Sequence, residues 1–394
     1  MSKGKNIVLI ALIALLAFTA GTFTGIGIKS IPPKSPESGT ETTAPTESVP
    51  EASVPQYVPT EDLIDMRIGE MSLTEKVAQM MMVSCHNNVD ISDAASFGVG
   101  GICFYAFSFE GKDAQEVKDM IAAYQNTAPL PMLVSTDEEG GSVNRVSLNK
   151  NLRAVPFWSP SDLFKEGGMD LIISDTEEKA DLLLSLGINV NLAPVCDVPE
   201  SEDNYIYNRC FSTDYDETAD YVSNVVSVME EKKIGSTLKH FPGYGASIDT
   251  HQFVSYDYRD FSAFENGDLK PFIAGIEKGA DCVMVSHNIV TCLDSSMPSS
   301  LSKPVHDLLR DDLGFEGVIM TDDLTMQGIT NFTDGETAVV AAVMAGNDML
   351  ACEDYRGAAE SVIEAVEAGK ISEERIDESV RRILLWKAEL GILQ

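Results

Sequence analysis

The feature that most constrains the fold is a repeated alternation of short apolar runs and amphipathic stretches from residue 61 onward. The apolar runs have the length of strands, and the segments between them show helical periodicity. Eight strands that alternate with helices over roughly 300 residues predict an α/β fold with a single (β/α)8 TIM-like barrel. A doubly wound open sheet is the alternative architecture. The predicted strands are residues 80–84, 101–105, 132–136, 189–193, 237–240, 282–286, 317–321 and 348–351.

The first 59 residues differ from this pattern in composition. Lys3 and Lys5 precede an uncharged apolar run, residues 6–28, which is long enough to span a bilayer as a helix of roughly 20 residues and also fits a signal peptide. Residues 30–59 are rich in Pro, Ser, Thr and Glu, a composition typical of a disordered spacer. The predicted domains are therefore a signal anchor or signal peptide (1–29), a linker (30–59) and the barrel (60–394).

Charge and cysteine usage limit the location and the partners. The positive N-terminal flank predicts that the body lies outside the cell, either anchored in the membrane or secreted after cleavage. A net charge of −34 argues against a nucleic acid or an anionic membrane surface as partner. Seven scattered cysteines show no CxxC spacing, so we expect no zinc site and mostly buried free thiols. No cofactor motif is present, and the oligomeric state is left open.

Residues 236–251 combine an apolar lead-in, two cations and a turning loop. Lys239 and His240 end the apolar run, and the Pro and Gly residues that follow break any regular element. The loop ends at Asp249 and His251. If Asp249 accepts the ring N–H of His251, it fixes the tautomer and raises the basicity of the imidazole, which suits proton transfer. The alternative is a polar loop that only happens to contain both residues.

Histidines gather at the predicted strand ends, where a barrel carries its chemistry. His86, His240 and His287 each follow an apolar run. His306 falls in a predicted helix, where we expect a surface position. The pattern predicts a site at the C-terminal ends of the strands.

Carboxylates follow the third, fourth and seventh predicted strands. Asp137 precedes a Glu-Glu-Gly-Gly run, and its carboxylate can accept two hydroxyl protons, although an acidic turn is the alternative. Asp197, after the fourth strand, is expected to orient Arg209 or Lys239. Asp322 and Asp323 follow the seventh strand, where capping of the next turn is the competing explanation for Asp322.

Several of these stretches together resemble the β-N-acetylglucosaminidases of glycoside hydrolase family 3. They are Lys239 to Gly245 with the Asp249-x-His251 pair, Asp137-x-Glu-Gly-Gly-x-Val-x-Arg145, Asn208 to Phe211, Met284 to His287, and Met320 to Met326. The resemblance implies that Asp322 is the nucleophile and that His251, assisted by Asp249, is the acid/base. It also implies sugar-binding roles for Asp137, Arg145, Arg209, Lys239, His240 and His287, with no metal or cofactor.

The function implied by this resemblance is retaining hydrolysis of terminal β-linked N-acetylglucosamine, from peptidoglycan fragments or chitooligosaccharides. A β-glucosidase or β-xylosidase of the same family and a GlcNAc phosphorylase remain open. So does a wall-glycan-binding protein without turnover. The chain departs from the family at Tyr244, where His is usual, at Cys210, where Ser is usual, and at Thr250, often Ser.

Overall fold

The computed structural model describes residues 60–86, 89–245, 254–326, 329 and 335–393. The proposed anchor and linker, residues 1–59, lie outside this part of the chain, so their boundaries remain predictions. Asp249 and His251 also lie outside the described residues. Across the described ranges, no helix combines the length and the apolar character needed to cross a membrane.

The described residues form parallel sheets. The strands are β1 Met81–Ser84, β2 Gly101–Phe104, β3 Leu133–Thr136, β4 Val190–Asn191, β5 Thr237–Phe241, β6 Tyr256–Asp257, β7 Cys282–Val285, β8 Ile289–Val290, β9 Val318–Thr321 and β10 Leu350–Cys352. One sheet has the order β10-β1-β2-β3-β4, a second has the order β5-β7-β9, and β6 pairs with β8 at one side.

Isolated parallel bridges connect the two larger sheets into a ring. Val190 pairs with Gly235 on one side, and Met320 pairs with Met349, directly before β10, on the other. Since β10 also pairs with β1, successive pairings lead back to the starting strand. An open doubly wound sheet would leave two edge strands instead. The arrangement is consistent with the predicted (β/α)8 barrel, and each of the eight predicted strands overlaps a strand of the ring.

Helices follow most strands and cover the outer face of the ring. Both faces of the larger strands are therefore buried, which explains their continuous apolar sequences. The α-helices are Thr60–Glu70, Leu73–Gln79, Ile91–Phe97, Ala106–Phe109, Ala114–Thr127, Pro160–Leu186, Tyr215–Lys232, Phe261–Ala263, Leu269–Glu277, Lys303–Asp307, Gly335–Ala345, Tyr355–Glu367 and Glu373–Glu389.

The last helix, Glu373–Glu389, begins directly after a serine cap. The Ser372 hydroxyl accepts the Arg375 N–H at 3.2 Å. One face of this helix is apolar and packs into the core, because Ile376 and Val380 are fully buried, as are Ile383 and Leu384. The helix thus closes over the ring as the 3.6-residue periodicity requires.

Two expectations about single side chains have different outcomes. Burial of Cys85, Cys103, Cys196, Cys282 and Cys352 is confirmed. The surface position expected for His306 is wrong. Its side chain is buried, and its Nδ1 donates to the Ser302 carbonyl at 2.8 Å. Burial lowers the pKa of His306, so this ring belongs to the packing of the barrel.

A fully buried carboxylate anchors the last helix at the N-terminal end of the barrel. Asp348 accepts the Ile319 N–H at 3.0 Å and the Ser379 hydroxyl at 2.7 Å. It also pairs with Arg310 at 2.5 Å and with Arg382 at 3.3 Å. Because Asp348 has no exposed surface, these partners replace the water that it loses on folding.

We expect Asp348→Asn to lower the free energy of unfolding by about 3 kcal/mol, the lower end of the cost of breaking a buried ion pair. The substitution leaves three arginines, Arg310, Arg375 and Arg382, without their counter-charge. Urea unfolding followed by circular dichroism measures the change. Asp181→Asn is the matched control, because Asp181 pairs with Lys232 on the exposed surface and should matter far less. Similar midpoints for both variants would contradict the anchoring role.

A buried lysine on the last helix should make stability depend on pH. Lys387 is fully buried, and its Nζ donates to Gln79 Oε1 at 2.7 Å. Burial lowers the pKa of Lys387 to about 7, whereas an unfolded lysine keeps its proton to about 10.4. The unfolded state therefore binds more protons between these values, and stability should rise with pH by at most about 1.4 kcal/mol per unit.

Unfolding of the wild type and of Lys387→Met between pH 7 and pH 10 tests this sign. Methionine cannot titrate, so the wild type should gain stability relative to the variant as pH rises. Two curves that stay parallel through this window would show that Lys387 remains charged in the folded protein.

Candidate active site

A cavity of about 580 Å³ opens at the C-terminal ends of the strands. This volume lies within the range of about 300–1,000 Å³ typical of small-molecule sites. The walls are contributed by residues at or after the ends of all eight strands of the ring, β1, β2, β3, β4, β5, β7, β9 and β10, as the barrel rule predicts. The charged residues in the lining include Asp137, Glu139, Arg145, Arg209, Lys239, Asp322 and Asp323.

The segment after β3 is shaped by a buried carboxylate and a glycine. Glu138 accepts the N–H groups of Arg145 at 2.8 Å and Val146 at 2.7 Å. This fold-back brings Arg145 to 3.8 Å from Asp137. Gly140 has φ 100°, and a Cβ there would lie 2.2 Å from the Trp158 carbonyl oxygen. The Glu-Gly run therefore shapes the loop.

Lys239 and His240 both reach the cavity, although consecutive side chains of a regular strand point to opposite faces. The pairing of β5 with β7 is irregular at this point, with a register shift between Lys239 and Phe241. The irregularity explains how one short stretch supplies two neighbouring polar side chains to the same cavity.

Four charged side chains form a network on the wall of the cavity, two of them buried and two partly buried. Lys239 Nζ lies 2.6 Å from Asp137 Oδ1 and 2.6 Å from Glu139 Oε1. Arg209 binds Glu139 through two hydrogen bonds of 3.0 and 2.8 Å. Burial alone would lower the pKa of Lys239, but the two carboxylates outweigh it and raise that pKa. The ammonium therefore keeps its proton.

At Glu139, too, burial and neighbouring charges have opposite effects on the pKa, with the signs reversed. Burial would raise its pKa, but Arg209 and Lys239 hold the pKa well below its ordinary value. Glu139 remains ionised, and a carboxylate between two cations can hold both in fixed positions.

His240 is held by Asp197, which corrects the partner expected for Asp197. His240 Nδ1 lies 2.6 Å from Asp197 Oδ2, and the Tyr244 N–H donates to Asp197 Oδ1 at 2.7 Å. The contacts expected between Asp197 and Arg209 or Lys239 are replaced by these hydrogen bonds, while Glu139 orients both cations. Arg209 Nη2 lies 3.3 Å from His240 Nε2. A guanidinium can only donate, so this geometry assigns the ring proton to Nδ1.

Asp322 and Asp323 are consecutive, but the structure gives them different surroundings. Both line the cavity. Asp323 Oδ2 accepts the Ser84 hydroxyl at 2.5 Å, and its Oδ1 accepts the Thr325 N–H at 2.8 Å. Asp322 Oδ1 accepts the Asp323 N–H at 2.8 Å. Asp323 thus holds the loop after β9 in place by capping its turn. Asp322 lies at the cavity wall directly before this turn.

His287 does not take the substrate-side position expected from the sequence. It is fully buried and is not part of the cavity lining. Its Nδ1 lies 2.8 Å from the Ser300 hydroxyl, and its Nε2 lies 3.0 Å from the Asp323 carbonyl oxygen. Since a carbonyl accepts, Nε2 donates. His287 therefore fixes the main chain one residue after Asp322.

Two departures from the family pattern pack together beside the cavity. Cys210 and Tyr244 belong to one small buried apolar cluster with Val195 and Ile206. Burial raises the pKa of the Cys210 thiol well above its usual range, so this side chain acts as a small hydrophobe. The Tyr244 ring lies 5.6 Å from the His240 ring. Tyr244 therefore packs against a cavity residue.

The structure brings together most of the residues singled out by the sequence. Asp137, Arg145, Arg209, Lys239, His240 and Asp322 all line the cavity. The position of Asp249 and His251 relative to Asp322 stays a prediction, because both lie outside the described residues. Sequence reasoning missed Glu139, whose only signal is its place in the acidic run after β3, and it missed Tyr105 and Tyr205, which also line the cavity.

Comparison with known proteins agrees with this architecture. The model of the glycosyl hydrolase family 3 N-terminal domain matches residues 72–385. A polar cavity at the strand ends of a parallel α/β ring, with carboxylates on its walls, defines a glycoside hydrolase when it occurs in this domain. The chain belongs to glycoside hydrolase family 3.

Individual relatives share much of the chain. It is 30% identical over 297 residues to a β-hexosaminidase of Idiomarina loihiensis, covering 72% of this chain and 86% of the relative. It resembles the structure of a family 3 β-N-acetylglucosaminidase from Paenibacillus, with a TM-score of 0.77 and 30% identity over 82% of this chain. The chain spans 63% of that longer protein. A β-N-acetylhexosaminidase structure from Beutenbergia cavernae is similar over 81% of this chain and 99% of its own, with 28% identity and a TM-score of 0.71.

We expect His287→Ala to lower kcat on a nitrophenyl glycoside on the order of 10²-fold, the effect of misplacing a reacting group by about 1 Å. KM should change much less, because the ring does not line the cavity. His306→Ala is the matched control, since His306 is also buried but contacts a different part of the barrel. A raised KM with an unchanged kcat would instead restore the substrate-side role.

Proposed function

We propose that the protein removes terminal β-linked N-acetylglucosamine from glycans by hydrolysis with retention of configuration. The observation that carries this proposal is Asp322 at the wall of a cavity that also contains the Asp137, Glu139, Lys239 and Arg209 network. Alternating carboxylates and cations offer both acceptors and donors, as recognition of adjacent sugar hydroxyls requires. The names of the similar β-hexosaminidases support the choice of an N-acetylated sugar.

The network is suited to hold the sugar in one orientation. Asp137 accepts from Lys239 through one carboxylate oxygen, so its other oxygen can accept a hydroxyl proton. Arg145 and Arg209 supply donors from neighbouring segments, and the His240 ring stands beside Arg209. These contacts are formed before the substrate arrives, which reduces the ordering that binding requires.

The proposed reaction has two steps. In the first, an Asp322 oxygen bonds to the anomeric carbon while the bond to the leaving oxygen breaks, and His251 gives that oxygen its proton. In the second, His251 takes a proton from water, the water oxygen bonds to the anomeric carbon, and Asp322 leaves as a carboxylate. The resemblance to the family supports the roles of His251 and Asp249. An imidazole also avoids placing a second negative charge beside Asp322.

Chitooligosaccharides and peptidoglycan fragments are the proposed substrates. The apolar residues 6–28 and the positive flank before them support export of the enzyme, with the catalytic part anchored at the outer face of the membrane or secreted. A β-glucosidase of the same family would prefer nitrophenyl-β-glucose over nitrophenyl-β-GlcNAc, and a phosphorylase would form the sugar 1-phosphate in phosphate buffer. A glycan-binding protein would bind N-acetylated sugars, including chitin fragments, without releasing product.

Asp322→Ala should lower the release of nitrophenol from nitrophenyl-β-GlcNAc on the order of 10⁴-fold or more, the scale expected for loss of a nucleophile. Azide should restore part of the rate and yield the glycosyl azide of inverted configuration, because it replaces the lost carboxylate. Asp307→Ala is the control, since Asp307 lies on a surface helix and pairs with Lys303. Equal rates for wild type and Asp322→Ala would rule out the nucleophile.

A further inference from the structure

We propose that four side chains after β1, β2 and β10 form a binding site for the sugar on the leaving-group side of the bond. These residues, His86, Tyr105, Phe107 and Glu353, are called the aromatic rim. The proposal rests on the proposed function and adds to it a substrate class, a glycan whose second residue is an uncharged sugar such as N-acetylglucosamine.

The aromatic rim is a continuous surface beside the cavity. The His86 and Tyr105 rings meet edge to face, with centroids 4.6 Å apart and planes at 70°. Tyr105 and Phe107 are nearly parallel, with centroids 6.1 Å apart. His86 Nδ1 contacts the Glu353 carboxylate, and the His86 side chain remains 39% exposed. Both His86 and Tyr105 line the cavity that contains Asp322.

Position around the ring places this surface on the leaving-group side. The groups proposed to bind sugar hydroxyls follow β3, β4 and β5, and Asp322 follows β9. The anomeric carbon must face Asp322, so its substituent points away from the hydroxyl-binding groups. From β9, the ring continues through β10 to β1. Glu353 directly follows β10 and His86 follows β1. The substituent on the anomeric carbon is therefore expected to lie beside Glu353 and His86.

The aromatic rim is also held firmly against the catalytic loop. The Tyr105 side chain interacts with Ser84, and Ser84 donates to Asp323 at 2.5 Å. On the other side, the Arg145 guanidinium lies 5.8 Å from the Tyr105 ring centroid. A fixed aromatic face is suited to pack against the C–H face of a pyranose, since it buries apolar surface with little loss of side-chain freedom.

Local charge selects an uncharged sugar. Glu353, Asp322 and Asp323 supply carboxylates on this side. The Lys and Arg side chains of the described cavity lining, Arg145, Lys239 and Arg209, each pair with a carboxylate of the opposite wall. An anionic substituent on the second sugar would meet like charge, which costs affinity. Hydroxyl and acetamide groups can instead donate to Glu353 and to His86 Nε2, because Glu353 accepts the Nδ1 proton and leaves Nε2 as the acceptor of a neutral imidazole.

Binding to the Asp322→Ala enzyme tests the aromatic rim without turnover. Calorimetry compares GlcNAc, N,N′-diacetylchitobiose, and a GlcNAc disaccharide whose second sugar carries a lactyl ether carboxylate. We expect chitobiose to bind more tightly than either. Adding His86→Ala or Phe107→Ala should weaken chitobiose about tenfold more than GlcNAc, the scale of one lost contact. Phe107 is 41% exposed, so its replacement keeps the fold intact.

Tyr258→Ala is the matched control, because Tyr258 is a 77% exposed aromatic residue outside the cavity lining. It should leave all three affinities unchanged. Equal losses for GlcNAc and chitobiose in the rim variants, or tightest binding of the carboxylated disaccharide, would overturn the aromatic rim while leaving the proposed hydrolysis intact. A wild type that releases no nitrophenol from nitrophenyl-β-GlcNAc would overturn the proposed function itself.

Discussion

The ammonium of Lys239, buried between Asp137 and Glu139, is the interaction on which the rest of the site depends. A buried charge is costly unless charged partners and hydrogen bonds replace its water. Two carboxylates at 2.6 Å meet that requirement, and Arg209 balances the second negative charge. Removing any one member would leave an uncompensated charge in the wall. The network therefore holds the segments after β3, β4 and β5 in one arrangement.

This arrangement has consequences for the neighbouring residues. Arg209 extends from Glu139 to His240, and His240 in turn is held by Asp197. The chain of contacts runs across the cavity wall before any ligand is bound. A site whose donors and acceptors are fixed in advance does not have to reorganise during the reaction. This preorganisation is a main source of enzymatic rate enhancement. On the other wall, His287 and Asp323 hold Asp322 in position through hydrogen bonds that involve the main chain.

Sequence reasoning predicted the ring from local patterns, and it predicted many cavity residues from their places after strands together with the resemblance to glycoside hydrolase family 3. Apolar runs buried on both faces mark parallel strands, and residues after such strands meet at one end. The direction in which a side chain points, in contrast, depends on strand pairing and tertiary packing. His287 follows its strand as His240 does, yet β5 has a register shift near His240, whereas β7 pairs regularly with β9. The burial of His306 depends on tertiary packing, which its helical context does not reveal.

The charges around Asp322 also bear on the choice between water and phosphate as the second substrate. The net charge of −34 acts weakly at a distance, because physiological salt screens charges beyond about 8 Å. The charges close to Asp322 therefore determine which acceptor can approach. Among the described residues of the cavity, Arg145, Lys239 and Arg209 each pair with a carboxylate. Asp323 lies beside Asp322, the proposed nucleophile. A dianionic acceptor would approach this wall against like charge, whereas water would not. The described part of the site therefore favours hydrolysis over phosphorolysis.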